Sequence, residues 1–192
     1  MPVWKHVKSV GEIEMKWTLP IKIFINSKKR EIRFFLLFLL FFFLGQAAHY
    51  SVRDYTTPLL VYKLNAQVSS KIINIITPSE KTFVRENVIG SRDFTIRIAE
   101  GCEGIEGILL LAAAIFAFPM GFMKKVYGVL AGCLMIYASN LLRIIALYYT
   151  LKYKPDMFDT MHIFIGQTFI ILVGLAFFII WINYFGKIKP VN

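Results

Sequence analysis

The sequence predicts an all-α integral membrane helical bundle of about four transmembrane helices. Of its 192 residues, 57% are hydrophobic and 18% are charged, whereas a soluble domain is nearer a quarter charged. The apolar residues also lie in long blocks, each close to the roughly 20 residues that a helix needs to cross a membrane. These blocks occupy about 32–50, 104–122, 126–149 and 162–185. We expect one domain over 32–185 between two cytoplasmic tails, a basic one over 1–31 and a short one over 186–192.

Half of the net charge of +10 lies at the N-terminal end of the chain. Residues 1–33 carry eight Lys or Arg against three Glu. A basic tail beside a membrane accounts for this excess, so we expect the lipid bilayer as a partner and no nucleic acid.

The distribution of lysines between the apolar blocks predicts the orientation of the chain. Lys124 and Lys125 stand in a loop without acidic residues, and Lys187 and Lys189 in a tail without them, whereas the segments 51–103 and 150–161 mix both signs. Under the positive-inside rule both termini are then cytoplasmic, and the segment 51–103 faces outward.

The outward segment shows two further periodic patterns. Apolar residues recur every fourth position within 57–76, which predicts an amphipathic helix along the outer membrane surface. They are Leu60, Leu64, Val68, Ile72 and Ile76. The stretch 83–98 alternates around "GSRD" and predicts a β-hairpin that leads into Cys102.

Three residues whose side chains could take part in catalysis fall near the outer ends of three different helices. They are Cys102, Arg143 and His162. An arginine at mid-bilayer costs at least about 2.5–3.5 kcal/mol, so a function is the default interpretation of Arg143. The trio suits acyl transfer by a thiolate, with the histidine moving the proton and the arginine stabilising an oxyanion. We expect the helix N-terminus to lower the pKa of the Cys102 thiol, against the opposing charges of Glu103 and Glu106.

Other polar residues near the trio permit two interpretations each. Asn140 shares a helix face with Arg143 and either orients the guanidinium or satisfies a buried polar group. Asp159 either orients His162 or is a solvated loop acid. Cys133, deep in its apolar block, is expected to be structural. No metal-ligand spacing and no phosphate-binding glycine loop is present, so neither metal nor cofactor is expected.

Three short motifs together resemble a known family. "GCEGIEG", "NLLRI" and "MHIFIG" resemble the exosortase/archaeosortase family of integral membrane transpeptidases, over about 95–170. The resemblance implies that Cys102 is the nucleophile, that Arg143 stabilises the oxyanion or thiolate, and that His162 is the acid/base, as in the bacterial branch. The chain has fewer spans than the large exosortases and has Glu103 where a small residue is usual.

The resemblance also implies a substrate and a location. The substrates would be exported proteins that end in a short sorting motif, a transmembrane helix and a basic tail. Cleavage would take place at the outer face of a bacterial cytoplasmic membrane.

Two other functions remain open at this stage. The first is a non-enzymatic assembly factor or chaperone for export or polysaccharide-linked proteins, in which Arg143 is a structural charge paired with Glu106. The second is a quinone-linked thiol oxidoreductase, which would need pairs of outward cysteines where this chain offers Cys102 alone. The oligomeric state stays open as well.

Overall fold

The structure, a computed structural model, describes residues 28–99 and 101–186. It is a helical bundle that carries a small antiparallel sheet at one end, which we call the sheet end. The α-helices are α1 (Lys29–Thr57), α2 (Val68–Ile76), α3 (Ile105–Ala117), α4 (Phe122–Tyr153) and α5 (Gly166–Gly186). The strands are β1 (Phe83–Arg85), β2 (Val88–Gly90) and β3 (Thr95–Arg97). Most of the two predicted tails, 1–27 and 187–192, lies outside the described residues.

Three helical segments within the described residues are long and apolar enough to cross a membrane. They are Lys29–Ile76, Phe122–Tyr153 and Thr160–Gly186. The predicted span 104–122 is shorter than expected, because α3 has 13 residues and is about 20 Å long at 1.5 Å per residue. Pro119 ends it: the residue before a proline disfavours the helical conformation, and Phe118 is extended, with φ −72° and ψ 136°.

The amphipathic helix predicted over 57–76 forms, but it continues α1 instead of standing apart. A π-helical segment, Pro58–Gln67, joins α1 to α2 in a continuous run of 48 residues. Pro58 lacks an N–H, and its ring crowds the carbonyl group four residues earlier. The wider π-helical ladder therefore begins at the residue that disturbs the α-helical one.

The buried face of this run lies one position away from the predicted apolar stripe. Its members recur every four residues and are Val61, Asn65, Ser69 and Ile73. Leu64 and Ile76, from the predicted stripe, are 38% and 60% exposed. The packed side contains polar groups that bond across the molecule, such as the Ser70 hydroxyl, 2.8 Å from that of Thr82, which is why an apolar pattern does not identify it.

The predicted hairpin is a three-stranded meander in the order β1-β2-β3. The stretch 83–89 was expected to be one strand, but the chain turns at Glu86, which adopts a left-handed φ of +52°. Ile89 pairs with Val84 on one side and with Ile96 on the other. Both isoleucines are buried, so one face of the sheet packs against the helices. The chain runs from the last strand to Cys102.

Two apolar clusters hold the bundle together. One lies at the sheet end and includes Ile73, Ile89, Tyr148 and Cys102. The other lies among α3, α4 and α5 and is centred on Ile136. The nucleophile candidate is therefore part of a packed core and not of a solvated loop.

A buried carboxylate fixes the segment before the sheet to the end of α4. Glu80 is 7% exposed and accepts a 2.6 Å hydrogen bond from the Tyr148 hydroxyl. Lys152 forms an ion pair with the other carboxylate oxygen. The hydrogen bonds from Lys152 and Tyr148 hold the pKa of Glu80 below its usual range.

Candidate active site

The structure brings Cys102, Arg143 and His162 together at the sheet end. The Nη2 atom of Arg143 donates to the Sγ atom of Cys102 at 3.6 Å. The same Sγ atom lies 3.7 Å from His162 Nε2 and 3.9 Å from Nδ1. The three residues come from the loop before α3, from α4 and from a π-helical segment, Thr160–Ile165. One sulfur atom thus contacts a cation and a base supplied by different elements.

Two glycines shape the loop that presents Cys102. Gly101 and Gly104 both have left-handed backbones, with φ of +83° and +81°, which glycine adopts without strain. The Cys102 N–H donates to the Ala99 carbonyl at 3.1 Å. A Cβ atom at Gly104 would come within 3.0 Å of the Asn140 side chain, so this glycine is required for space as well as for conformation.

A pair of buried asparagines ties this loop to its neighbours. Asn140 Nδ2 donates to the Cys102 carbonyl at 2.9 Å and to Asn65 Oδ1 at 3.0 Å. Asn65 Nδ2 in turn donates to the carbonyls of Leu60 and Glu103, at 2.8 and 3.3 Å. Asn140 therefore bonds the loop rather than the guanidinium. Asn65 was missed by the sequence analysis, which considered only the apolar residues of this segment.

A glycine on the facing helix makes room for Arg143. A Cβ atom at Gly166 would lie 2.8 Å from Arg143 Nε and 2.9 Å from the Met161 carbonyl oxygen. Arg143 is 7% exposed, and its Nε atom has no hydrogen-bond partner within the described residues. The guanidinium thus holds the thiol with one nitrogen and retains a free donor. Gly166 stands in the "MHIFIG" motif, yet sequence reasoning gave it no role.

His162 is held by an aromatic ring. The rings of Phe158 and His162 stack with centroids 5.8 Å apart and an interplanar angle of 6°. Within the described residues, no hydrogen bond joins His162 to Asp159, which is exposed. Stacking therefore orients the imidazole, and Asp159 does not act as an orienting partner in this conformation.

The acidic residues beside Cys102 do not pair with the arginine. Across residues 28–99 and 101–186, no ion pair joins Arg143 to Glu103 or Glu106. Glu103 Oε2 is buried without a hydrogen-bond partner there. The structural pairing of Arg143 with Glu106, considered for an assembly factor, is thus not present in this conformation.

Burial governs the protonation of the Cys102 thiol. Removal from water raises its pKa above the ordinary value, Arg143 opposes this shift, and Glu103 adds to it. The net shift is upward, against the expected lowering, because desolvation outweighs the positive charge of Arg143. A raised pKa disfavours the thiolate, so the attack of the sulfur depends on a base. His162 is the basic group in contact with it.

The second cysteine is remote from this site. Cys133 precedes Arg143 by ten residues on α4, a distance of about 15 Å along the helix axis. Both cysteines are free. In the described part of the chain, no group of three His, Cys, Asp or Glu side chains could hold a metal ion.

Comparison with protein families gives a match over most of the chain. The model described as transmembrane exosortase (Exosortase_EpsH) matches residues 23–181, a range that includes Cys102, Arg143 and His162. No curated protein and no solved structure matches the chain. The family match confirms the resemblance seen in the three motifs. The chain belongs to the transmembrane exosortase family.

Proposed function

We propose that this protein is a membrane-embedded cysteine peptidase or transpeptidase that cleaves C-terminal sorting signals from exported, membrane-anchored proteins. The observation that carries the proposal is the contact of one sulfur atom, Cys102 Sγ, with both Arg143 and His162. Family membership supports a membrane transpeptidase role in general. The chemistry would be thiol acyl transfer.

In the first half of the reaction His162 removes the thiol proton of Cys102. The thiolate then attacks the carbonyl carbon of the scissile peptide bond, and the electron pair of the C=O bond moves onto its oxygen. Arg143 stabilises the thiolate through Nη2, and the positive charge of the same guanidinium stabilises the oxyanion. A buried guanidinium is effective here because the low dielectric around it strengthens the attraction.

In the second half the tetrahedral intermediate collapses. The C–N bond breaks as His162 returns the proton to the leaving nitrogen, and a thioester on Cys102 remains. Water or an amine acceptor then attacks the thioester carbon and gives its proton to His162. The sulfur leaves and recovers that proton, which restores the starting thiol.

The proposal places the site at the outer face of a bacterial cytoplasmic membrane, with both termini inside. The lysine-rich segments without acids, at 124–125 and 187–189, support this orientation. Topology reporters fused at position 80 and at position 192 should read outside and inside respectively. The reverse reading at either position would overturn the orientation.

The test of function compares the two cysteines. Cys102→Ala is expected to leave proteins with an uncleaved C-terminal helix and basic tail in the membrane fraction of the host. Cys133→Ala, at matched expression, should process them normally. The readout is mass spectrometry of membrane proteins for C-terminal peptides that only the Cys102→Ala strain retains. Normal processing by Cys102→Ala would end the enzyme hypothesis and leave an assembly factor.

A further inference from the structure

A long groove runs along the side of the bundle, and one of its ends lies beside the loop that holds Cys102. It has a volume of about 590 Å³ and lies between α1 and α5, with α3 as its floor. Along α1 it extends from Phe34 to Gln46, twelve helical positions or about 18 Å. The rings of Phe34 and Phe178, 6.4 Å apart, contact each other at its far end. The groove is therefore about as long as half a membrane-spanning helix and open along one side.

The two ends of the groove differ in polarity. Its far part is lined by aromatic and aliphatic side chains, whereas Gln46, Glu106 and Gln167 line the end nearest Cys102. Glu106 Oε1 lies 3.9 Å from where a Cβ atom of Gly101 would stand, so its carboxylate is beside the loop that holds the nucleophile. The groove is therefore polar only at the end beside this loop, and Cys102, Arg143 and His162 are not among the residues that line it.

We infer that this groove holds the transmembrane helix of the substrate, an inference that rests on the proposed function. A substrate cleaved at Cys102 continues beyond the scissile bond into its own helix, so the N-terminus of that helix lies at the polar end of the groove. The first four N–H groups of a helix lack partners within it, and they form the positive end of its dipole. The carboxylate of Glu106 and the amide oxygens of the two glutamines can accept from them.

The charge at the polar end favours a helix over an anionic lipid. An anionic phospholipid seated with its acyl chains in the groove would bring its phosphate group beside the Glu106 carboxylate, and the two negative charges would repel each other. An acyl chain also has no donor for the glutamine side chains. A helix N-terminus suits all three residues.

Blocking the groove tests the inference by function. Gly174 lines the groove, and a Cβ atom there would meet only Ile136, at the ordinary contact distance of 3.5 Å, so we expect the larger side chain of Gly174→Trp to fill the groove. Ala176→Trp is the matched control, because Ala176 is exposed on the same helix and does not line the groove. The probe is the membrane protein that accumulates uncleaved in Cys102→Ala cells. We expect Gly174→Trp to slow its processing at least about tenfold and Ala176→Trp to leave it unchanged.

Crosslinking identifies the occupant. A photoreactive benzoylphenylalanine would replace Ile171, which lines the groove, or its exposed neighbour Leu172, which does not. In the Cys102→Ala background, position 171 should capture the apolar segment of the accumulated protein, and position 172 should not. A phospholipid adduct alone at position 171 would overturn the inference.

The two proposals fail in different ways. If no protein accumulates in Cys102→Ala cells, the proposed function fails, and the inference about the groove fails with it. If a protein accumulates but Gly174→Trp processes it at the normal rate, the enzyme stands and the groove is not its helix site. Alkylation of Cys102 by iodoacetamide should be equal in the Gly174→Trp and Ala176→Trp proteins, which shows that the nucleophile itself is intact.

Discussion

Arg143 Nη2 lies 3.6 Å from Cys102 Sγ, and both residues are buried, at 7% and 8% exposure. The contact and the burial affect the thiol in opposite directions: the guanidinium favours the thiolate, whereas loss of solvent disfavours it. Burial is the larger effect and raises the pKa of Cys102. Formation of the thiolate is therefore disfavoured in the absence of a base.

The rate of Cys102 alkylation should therefore depend steeply on pH. Only the thiolate reacts with iodoacetamide, so in a Cys133→Ala background the midpoint should lie above the ordinary cysteine value of about 8.5. Arg143→Gln should move this midpoint higher, because it removes a charge that lowers the pKa. Glu103→Gln should move it lower, because Glu103 raises the pKa.

The control for this measurement is the same protein in denaturant. Its single thiol should there titrate at the ordinary value in all three variants. A folded-state midpoint below about 8.5 would show that Arg143 and the helix N-terminus outweigh burial, and the resting state would then be a thiolate–imidazolium pair.

Arg143 and His162 should behave as one unit with Cys102 during processing. Loss of an oxyanion donor typically slows a reaction by about 10²–10³-fold, and loss of a general base by about 10²–10⁴-fold. We expect Arg143→Lys and His162→Gln to fall in these ranges, because a lysine lacks the planar fork of donors. The double variant should lose little more than the worse single one. The measurement is the rate of substrate cleavage in membranes.

Arg92→Lys is the matched control for the arginine variant, because Arg92 is exposed between β2 and β3. It should retain full activity. Multiplicative losses in the Arg143→Lys/His162→Gln double variant would contradict a shared step and would assign the two residues to separate ones.

The convergence of the three site residues could be predicted because it depends on how far each residue lies from the end of its helix. Residue counts within the apolar blocks, together with the alternation of their direction, placed Cys102, Arg143 and His162 at the same end. The turn that divides the stretch 83–89 into two strands could not be predicted in this way. It depends on a left-handed conformation at Glu86, which is uncommon for residues other than glycine and is not indicated by the residue type.

Other features of the site depend on tertiary packing, which periodicity does not report. Asn65 gains its role only because α4 brings Asn140 within 3.0 Å of it. The direction of the Cys102 pKa shift depends on how completely the sheet and helices exclude water from it. The end of α3 could have been predicted from Pro119, but the span was drawn from hydropathy alone and therefore extended past this proline.

Gly166 should be intolerant of even a methyl group. A Cβ atom there would stand 2.8 Å from Arg143 Nε, so Gly166→Ala must displace the guanidinium from Cys102. We expect substrate cleavage to fall at least about tenfold and the alkylation midpoint of Cys102 to rise, as in Arg143→Gln. Helix propensity works in the opposite direction, since alanine is favoured over glycine by about 1 kcal/mol within a helix.

Gly186→Ala provides the comparison on the same helix, because no described atom lies within 4 Å of a Cβ atom at that position. Both variants gain the same methyl group, and only one meets Arg143. Equal cleavage rates in the two would show that Arg143 can move aside without loss of function.

The paired amides of Asn65 and Asn140 should position the nucleophile without taking part in the chemistry. Asn140→Ala leaves the Cys102 carbonyl and Asn65 Oδ1 without their donor, and Asn65→Ala frees the Glu103 carbonyl. Because each residue acts through the other, the double variant should cost less than the sum of the singles, with a coupling of about 0.5–3 kcal/mol. Unfolding in a denaturing detergent measures it.

Asn140→Asp separates positioning from simple packing. The carboxylate has nearly the shape of the amide, but it replaces a donor by an acceptor that faces two oxygen atoms, those of Cys102 and Asn65. It should therefore impair cleavage more than Asn140→Ala does, and it should move the alkylation profile of Cys102. Asn74→Ala removes a comparable amide that bonds Thr82 away from the site, so it should lower stability while leaving that profile unchanged. If Asn140→Asp keeps both the wild-type rate and the wild-type profile, the amide pair does not hold the loop, and Gly101 and Gly104 alone must fix its shape.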